Sequence, residues 1–272
     1  MTLRNPKQEG SNLWDCIPQK GPCPMNCSQC FYNRPGAFYA GMEPLIPTPE
    51  EVGDGIVRMN CGHDSNLEKE LVIETAKKYK KFFFNTSIPR FNFPGPVVFT
   101  ANPKEEEFVF VPTMECNGRF RWVGIEQHEL LDNLMFVRLR VSPTNLNLVE
   151  KAVELWTDCQ ISTNLTFMSY YDRLPPDCEK VDELSCCRQI HGGWKSFSEE
   201  VIYTWKVRHV NPYWCPTKEF MVYVVGRMKK IGGRLVTTCG TPDSNWCRDC
   251  RNCEAYYYQT VKHIKEIESI LF

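Results

Sequence analysis

Two short cysteine clusters are the residues in this chain whose type and spacing could do chemistry. The first is Cys23-Pro24-Met25-Asn26-Cys27-Ser28-Gln29-Cys30, a C-x3-C-x2-C spacing. The second is Cys247-Arg248-Asp249-Cys250-Arg251-Asn252-Cys253, a C-x2-C-x2-C run with Cys239 shortly before it. The chain holds 15 cysteines in 272 residues. At that frequency one fixed triplet spacing arises by accident only about 0.05 times, so two of them mark sites rather than coincidence. Thiolates are soft ligands for iron-sulfur clusters and zinc. The first cluster offers three of them, and a 4Fe-4S cluster needs four if every iron is to be closed. A triad on one short loop therefore borrows a distant donor or leaves one iron open, and an open iron is where chemistry can happen. The second group, Cys239, Cys247, Cys250 and Cys253, can close a metal completely. An auxiliary 4Fe-4S cluster or a structural zinc held by four thiolates both suit it.

The first segment follows an expected strand at Leu13, Trp14 and Ile17 and is itself followed by Phe31 and Tyr32. In this form it resembles the cluster loop of the radical S-adenosylmethionine (radical SAM) enzymes. The resemblance implies that Cys23, Cys27 and Cys30 bind three irons of a 4Fe-4S cluster while the fourth iron takes the amino and carboxylate groups of SAM. It further implies that reduction of that cluster cleaves the sulfonium, giving a 5'-deoxyadenosyl radical that removes hydrogen from a substrate. An electron donor such as flavodoxin or ferredoxin is implied as a partner. One position departs from the family pattern: Gln29 stands where an aromatic usually precedes the third cysteine.

The family also carries a Gly-Gly-Glu-like turn after the second strand, which receives the SAM amino group. The matching place here holds Gly62-His63-Asp64-Ser65. Glycine permits close backbone approach and Asp64 supplies a carboxylate; without the resemblance, Gly62, Asp64 and Ser65 read as turn and cap residues, and His63 as a turn histidine at the surface. Active sites of parallel barrels gather at the carboxyl ends of the strands, where Asn85, Asn102, Arg140, Ser142 and Tyr170 are expected. Arg140 and Ser142 look like the groups that contact the SAM carboxylate or ribose in the family. Arg138 and Arg140 also alternate with apolar neighbours, as in any half-buried strand.

The elements that must position these residues alternate between strand and helix, the pattern of parallel strands joined by crossover helices. Strands are expected at residues 55–60, 82–87, 97–101, 135–142, 164–169 and 234–238. Helices are expected from Leu67 to Tyr79 with Ser65 or Asn66 as N-cap, and over 129–134, 146–157 and 261–271. Residues 104–124 read as an insertion, with Asn117-Gly118 as a hairpin turn. Residues 173–231, rich in Pro, Cys, Trp and His, form the largest irregular block. The expected fold class is α/β: a partial or complete parallel (β/α) barrel of radical SAM type over 1–238, with the irregular insertion at about 173–231, followed by a Cys-rich auxiliary-cluster segment and closing helix over 239–272.

A formal charge of −1 gives no global attraction to nucleic acid or anionic membranes. Lys77, Lys78, Lys80 and Lys81 cluster where a helix C-terminus favours positive charge. No apolar run is long enough to cross a bilayer, and a polar start without a secretory leader is expected to leave the chain in a reducing cytoplasm, where cysteines serve as metal ligands more often than as disulfides. Cys178, Cys186, Cys187 and Cys215 read either as a third site or as small core residues. The substrate is open: a peptide, a nucleobase or RNA, or a small metabolite. The rival to a radical SAM enzyme is a non-catalytic protein, stabilised by zinc or iron-sulfur, that binds partners or carries electrons.

Overall fold

Short runs rich in Val, Phe and Ile pair readily as buried parallel strands, and the chain supplies seven of them. The computed structural model describes residues 4–25, 27, 30, 44–104, 108, 132–142, 145–167, 187–190, 193–196, 201–208, 211–244 and 246–271. Its strands are β1 (Leu13–Cys16), β2 (Ile56–Met59), β3 (Phe82–Thr86), β4 (Val97–Thr100), β5 (Leu134–Val141), β6 (Thr163–Phe167), β7 (Cys187–Ile190), β8 (Gly193–Ser196), β9 (Val201–Arg208), β10 (Asn211–Pro216) and β11 (Val236–Thr238). Its helices are α1 (Pro49–Val52), α2 (Lys69–Ala76), α3 (Leu146–Asp158), α4 (Lys218–Gly232), α5 (Cys247–Cys250) and α6 (Asn252–Leu271). Strands β1 to β6 and β11 make an open, parallel, seven-stranded sheet in the order β1-β2-β3-β4-β5-β6-β11. This is the expected α/β class, and an open sheet of this order is compatible with a partial barrel. A separate antiparallel sheet runs β10-β9-β8-β7.

The chain divides into two units, Met1–Arg138 with Asn245–Phe272, and Leu139–Ser244. In the first, Leu13 pairs with Ile56, and Asp15 with Arg58. Because side chains alternate between faces, Leu13, Ile56, Phe83 and Val98 share one face, where they form a core cluster with Met135, Phe136 and Tyr257. Tyr256 and Val261 of α6 pack against that cluster, as do Cys247 and Cys253. On the other face lie the buried side chains of Val57, Met59, Phe84, Val97 and Phe99. Helix α2 packs against β2 and buries Val72, Thr75 and Ala76. Ahead of β2, α1 is fixed by a reciprocal cap in which Thr48 accepts from the Glu51 N–H and Glu51 accepts from the Thr48 N–H.

In the second unit α3 and α4 pack on each other. Phe220, Val224 and Met228 of α4 recur at helical spacing and are buried. Its end is crowded: a Cβ at Gly232 would lie 2.6 Å from Val236 Cγ2 and 2.7 Å from Thr157 Cγ2, so only glycine lets the chain turn directly into β11.

Four expectations change. Helix α2 begins after Glu68, a left-handed residue without a side-chain cap bond. Ser65 and Asn66 are occupied elsewhere: Asn60 Nδ2 donates to Ser65 Oγ, and Asn66 Nδ2 donates to Thr86 Oγ1 and the Arg90 carbonyl. Within 173–231, the irregular block contains β7 to β10 and most of α4. Pro212 and Pro216 argue against a strand in sequence, yet β10 is an edge strand, where proline is tolerated. The closing helix starts earlier, at Asn252. The helix expected over 129–134 is not seen in its described part, where Asp132 and Asn133 form a turn and Leu134 opens β5; residues 129–131 and the hairpin around Asn117-Gly118 lie outside the described residues.

Candidate metal centre

The chain leaves β1 through Ile17, whose N–H donates to the Leu45 carbonyl at 2.7 Å while Leu45 returns the bond at 2.8 Å. This bridge clamps both ends of the excursion that carries Cys23, Cys27 and Cys30. The Cys30 N–H donates to the Cys27 carbonyl at 3.2 Å. Gln29, Phe31 and Tyr32 lie outside the described residues.

Four contacts hold the loop to the carboxyl ends of β2 and β3. Gln19, fully buried, donates from Nε2 to the Asp64 carbonyl at 3.3 Å and to the Leu67 carbonyl at 2.8 Å. His63 Nε2–H donates to the Gly21 carbonyl at 3.0 Å. Ser87 Oγ lies 3.7 Å from Met25 Sδ. The turn Gly62-His63-Asp64-Ser65 is thus the floor on which the cysteine loop rests.

Asp64 is buried and organises that floor. One carboxylate oxygen accepts from the Asn66 N–H (2.9 Å) and Thr86 Oγ1 (2.8 Å), the other from the Ser87 N–H (2.6 Å) and Ser87 Oγ (3.0 Å). Four donors already fill its acceptor capacity, so its demonstrable work is to join the turn after β2 to the end of β3. The Ser65 N–H donates to the Asn85 carbonyl. Asn85 is buried, donates to the Met59 carbonyl at 2.8 Å and accepts from Arg138 Nη2 at 3.3 Å; Arg138 also donates to Thr100 Oγ1 at 3.4 Å. Gly62 is half-buried in the same turn. Asn60, before it, takes a left-handed φ of 58°. Asn102 is fully buried beyond β4.

Arg140 and Ser142 fall in the second unit. Asn145 ties them locally, accepting from the Ser142 N–H and donating to the Arg140 carbonyl, both at 2.9 Å. Tyr170, Cys178 and Cys186 lie outside the described residues.

Burial pushes the Cys23 thiol up to about 11; a hydrogen bond from the Met25 backbone opposes this, and the negative charges of Asp64, Cys30 and Cys27 add to it. The charges of the other two thiols therefore bear on Cys23. Such a donor set, all sulfur and mutually repelling when ionised, fits a cationic iron-sulfur cluster chemically. Among the described residues no three His, Cys, Asp or Glu side chains are gathered as a metal-binding group.

The second cysteine group is built differently. Cys247 and Cys250 stand three apart on the single turn of α5, Arg251 reverses the chain at φ 52°, and Cys253 enters the first turn of α6, where the helix macrodipole favours a thiolate. This hook belongs to the first unit, whereas Cys239, whose N–H donates to the Leu165 carbonyl, belongs to the second. The hook is docked on the chain before β1. Asn12 Nδ2 donates to Glu254 Oε1 at 2.9 Å, and Gly10, at φ 70°, leaves room for Arg248, whose Cδ would lie 3.0 Å from a Cβ there.

Sequence reasoning missed Asp15 and Arg58. Arg58 Nε donates to Asp15 Oδ1 at 2.7 Å and Nη2 to Asp15 Oδ2 at 3.1 Å, a two-pronged pair whose side chains are 17% and 1% exposed. Gln8 Nε2 adds a bond to Asp15 Oδ1 at 2.8 Å. Burial would push the Arg58 guanidinium down, but Asp15, Cys61 and Cys247 around it hold it well above its ordinary value. Cys61 is pushed well up by burial and by Asp15, to which it hydrogen-bonds. The signal was present: opposite charges in adjacent short strands that are otherwise apolar.

Three of the four clustered lysines are taken up by neighbours. Lys77 pairs with Glu74, Lys80 with Asp54, and Lys81 reaches Tyr258 Oη. Among the described residues no helix is long and apolar enough to cross a membrane. Comparison of the chain with family models, with curated proteins and with solved structures found no match.

Proposed function

We propose that this chain is a radical SAM enzyme, working in the cytoplasm on a substrate of unknown class with an electron donor such as flavodoxin or ferredoxin. The observation that carries the reading is the docking of a C-x3-C-x2-C loop, through His63 to Gly21 and Gln19 to Asp64, on the carboxyl edge of a parallel sheet. That edge is where α/β sheets and barrels bind ligands. Cys23, Cys27 and Cys30 are the residues that would hold the cluster. A 4Fe-4S cluster held there would supply, once reduced, the electron for cleavage of SAM, and the 5'-deoxyadenosyl radical so released would take hydrogen from the substrate.

The chain's own share is placement. Asp64 and Ser87 fix the turn after β2 to β3, which keeps Gly62 and its exposed backbone beside the loop. Asn85 and Arg138 line the inward face next to that turn and are placed to orient a polar ligand. Cys23, Cys27 and Cys30 are half-buried, which leaves the triad open to SAM and to the electron donor. Cys247, Cys250 and Cys253 hold a second metal, an auxiliary 4Fe-4S cluster in this reading.

The test is anaerobic reconstitution with iron and sulfide, followed by dithionite and SAM. The expected result is a brown protein with about eight irons that forms 5'-deoxyadenosine. Cys27→Ala should abolish the product and remove about half of the iron. A colourless protein holding only zinc, or a brown one that neither binds nor cleaves SAM, overturns the proposal in favour of a binding or electron-transfer protein.

A further inference from the structure

Two independent features put the cysteine hook beside the buried Asp15–Arg58 pair. Cys247 and Cys253 pack on the face formed by Leu13 and Ile56, and Asp15 and Arg58 are the next rung on that same face of β1 and β2. From the other side, α5 packs against the turn Pro6–Gln8, and the buried Gln8 of that turn donates to Asp15. The guanidinium stands within electrostatic range of the Cys247 sulfur. A buried ion pair between two short strands is weak support for stability alone, because apolar residues of like volume often do as well. Its position beside Cys247 suggests a use for the charge.

We propose that Arg58, clamped by Asp15, is the counter-charge and positioning residue of the metal centre formed by Cys247, Cys250 and Cys253; this rests on the reading of the hook as a metal site. Metal-bound thiolates place excess negative charge in a partly buried corner. A fixed cation beside Cys247 offsets it, and the two-pronged bond to Asp15 keeps the guanidinium from swinging to solvent. Partners of this kind behind metal ligands slow metal loss without touching the metal. Arginine suits the role because it cannot deprotonate.

The experiment uses the full-length chain with Cys23, Cys27 and Cys30 all changed to Ser, so that bound zinc reports the hook alone, and follows transfer of that zinc to a colorimetric chelator. Arg58→Met keeps the aliphatic stem and removes the charge; zinc release should be at least about tenfold faster. Arg58→Lys, which keeps the charge but gives up the two-pronged bond to Asp15, should fall between the parent and Arg58→Met. Because Arg58→Met leaves Asp15 buried without its counter-charge, Asp15→Asn/Arg58→Met provides a neutral variant, its folding checked by circular dichroism, and it too should release zinc quickly. Release at the parent rate from a folded neutral variant overturns the role of Arg58 while leaving the hook a metal site. A parent that binds neither zinc nor iron overturns the hook reading itself, and the role of Arg58 with it.

Discussion

Ser87 gives both its N–H, at 2.6 Å, and its Oγ, at 3.0 Å, to the same oxygen of Asp64. This one carboxylate therefore couples the turn after β2 to the end of β3, directly beneath Cys23 and Met25. Asp64→Ala would take the acceptor away from the Asn66 and Ser87 N–H groups in a partly buried place, while the Thr86 hydroxyl can turn to the Ile88 carbonyl. We expect a loss of about 2–4 kcal/mol in unfolding free energy, measured by denaturant titration of the metal-free protein, and weaker iron retention by the first triad. Asp64→Asn, which keeps an acceptor, should lose roughly half as much. Unchanged stability with abolished SAM binding would show that the carboxylate serves the ligand and not the turn.

Cys61 poses a sharper question for the open iron. It packs with Cys30 against Ile17 and Leu45, yet its thiol is committed to Asp15. Cys61→Ser should therefore leave the iron content and the yield of 5'-deoxyadenosine within about twofold of the parent. If the substitution dissolves the first cluster, Cys61 is a fourth protein ligand and no iron is left for SAM.

Thiol reactivity offers a check on the packing of β1 that needs no metal. Burial pushes Cys16 up to about 12, with a hydrogen bond from Tyr79 opposing it, and its side chain is fully enclosed. Below that pH it stays a neutral thiol, and the thiolate is the reactive form. In the native apoprotein at pH 8, iodoacetamide should label the exposed Cys239 and leave Cys16 unlabelled by mass spectrometry until denaturant is added. Labelling of Cys16 at a comparable rate would contradict the packing of β1 on Tyr79.

The strands of the parallel sheet were legible because buried parallel strands are short apolar runs closed by turn residues, as at Phe82 to Thr86 before Pro89. The docking of the cysteine loop was legible only in outline. The motif names Cys23, Cys27 and Cys30, but Gln19 and Ser87, which fasten the loop, are ordinary polar residues until the fold brings them together. Asp15 and Arg58 are 43 residues apart in sequence, and single-sequence patterning carries no pairing register between strands. Most opaque was the stretch after residue 186. There prolines on an edge strand and glycines within and after α4 carry breaker signals that tertiary packing overrides.

Glu150 of α3 and Arg227 of α4 give the second unit a measurable pH signature. Arg227 donates from Nε and Nη2 to the two Glu150 oxygens, with side chains 30% and 27% exposed respectively. Hydrogen bonding to Arg227 holds the Glu150 carboxyl below its ordinary value, so the native state gives up this proton at lower pH than the unfolded chain does. The resulting stabilisation is complete above the unfolded value near pH ~4.3 and is lost as pH falls through the lower native one. Solvent screening and side-chain entropy limit the pair to about 0.5–1 kcal/mol. Glu150→Gln should remove that amount at pH 7 and have almost no effect at pH 3, as read by urea unfolding across the range. A double-mutant cycle with Arg227→Met should return a coupling of about the same size at pH 7. Coupling that persists undiminished at pH 3 would mean that α3 and α4 are joined here by packing of the side-chain stems and not by charge.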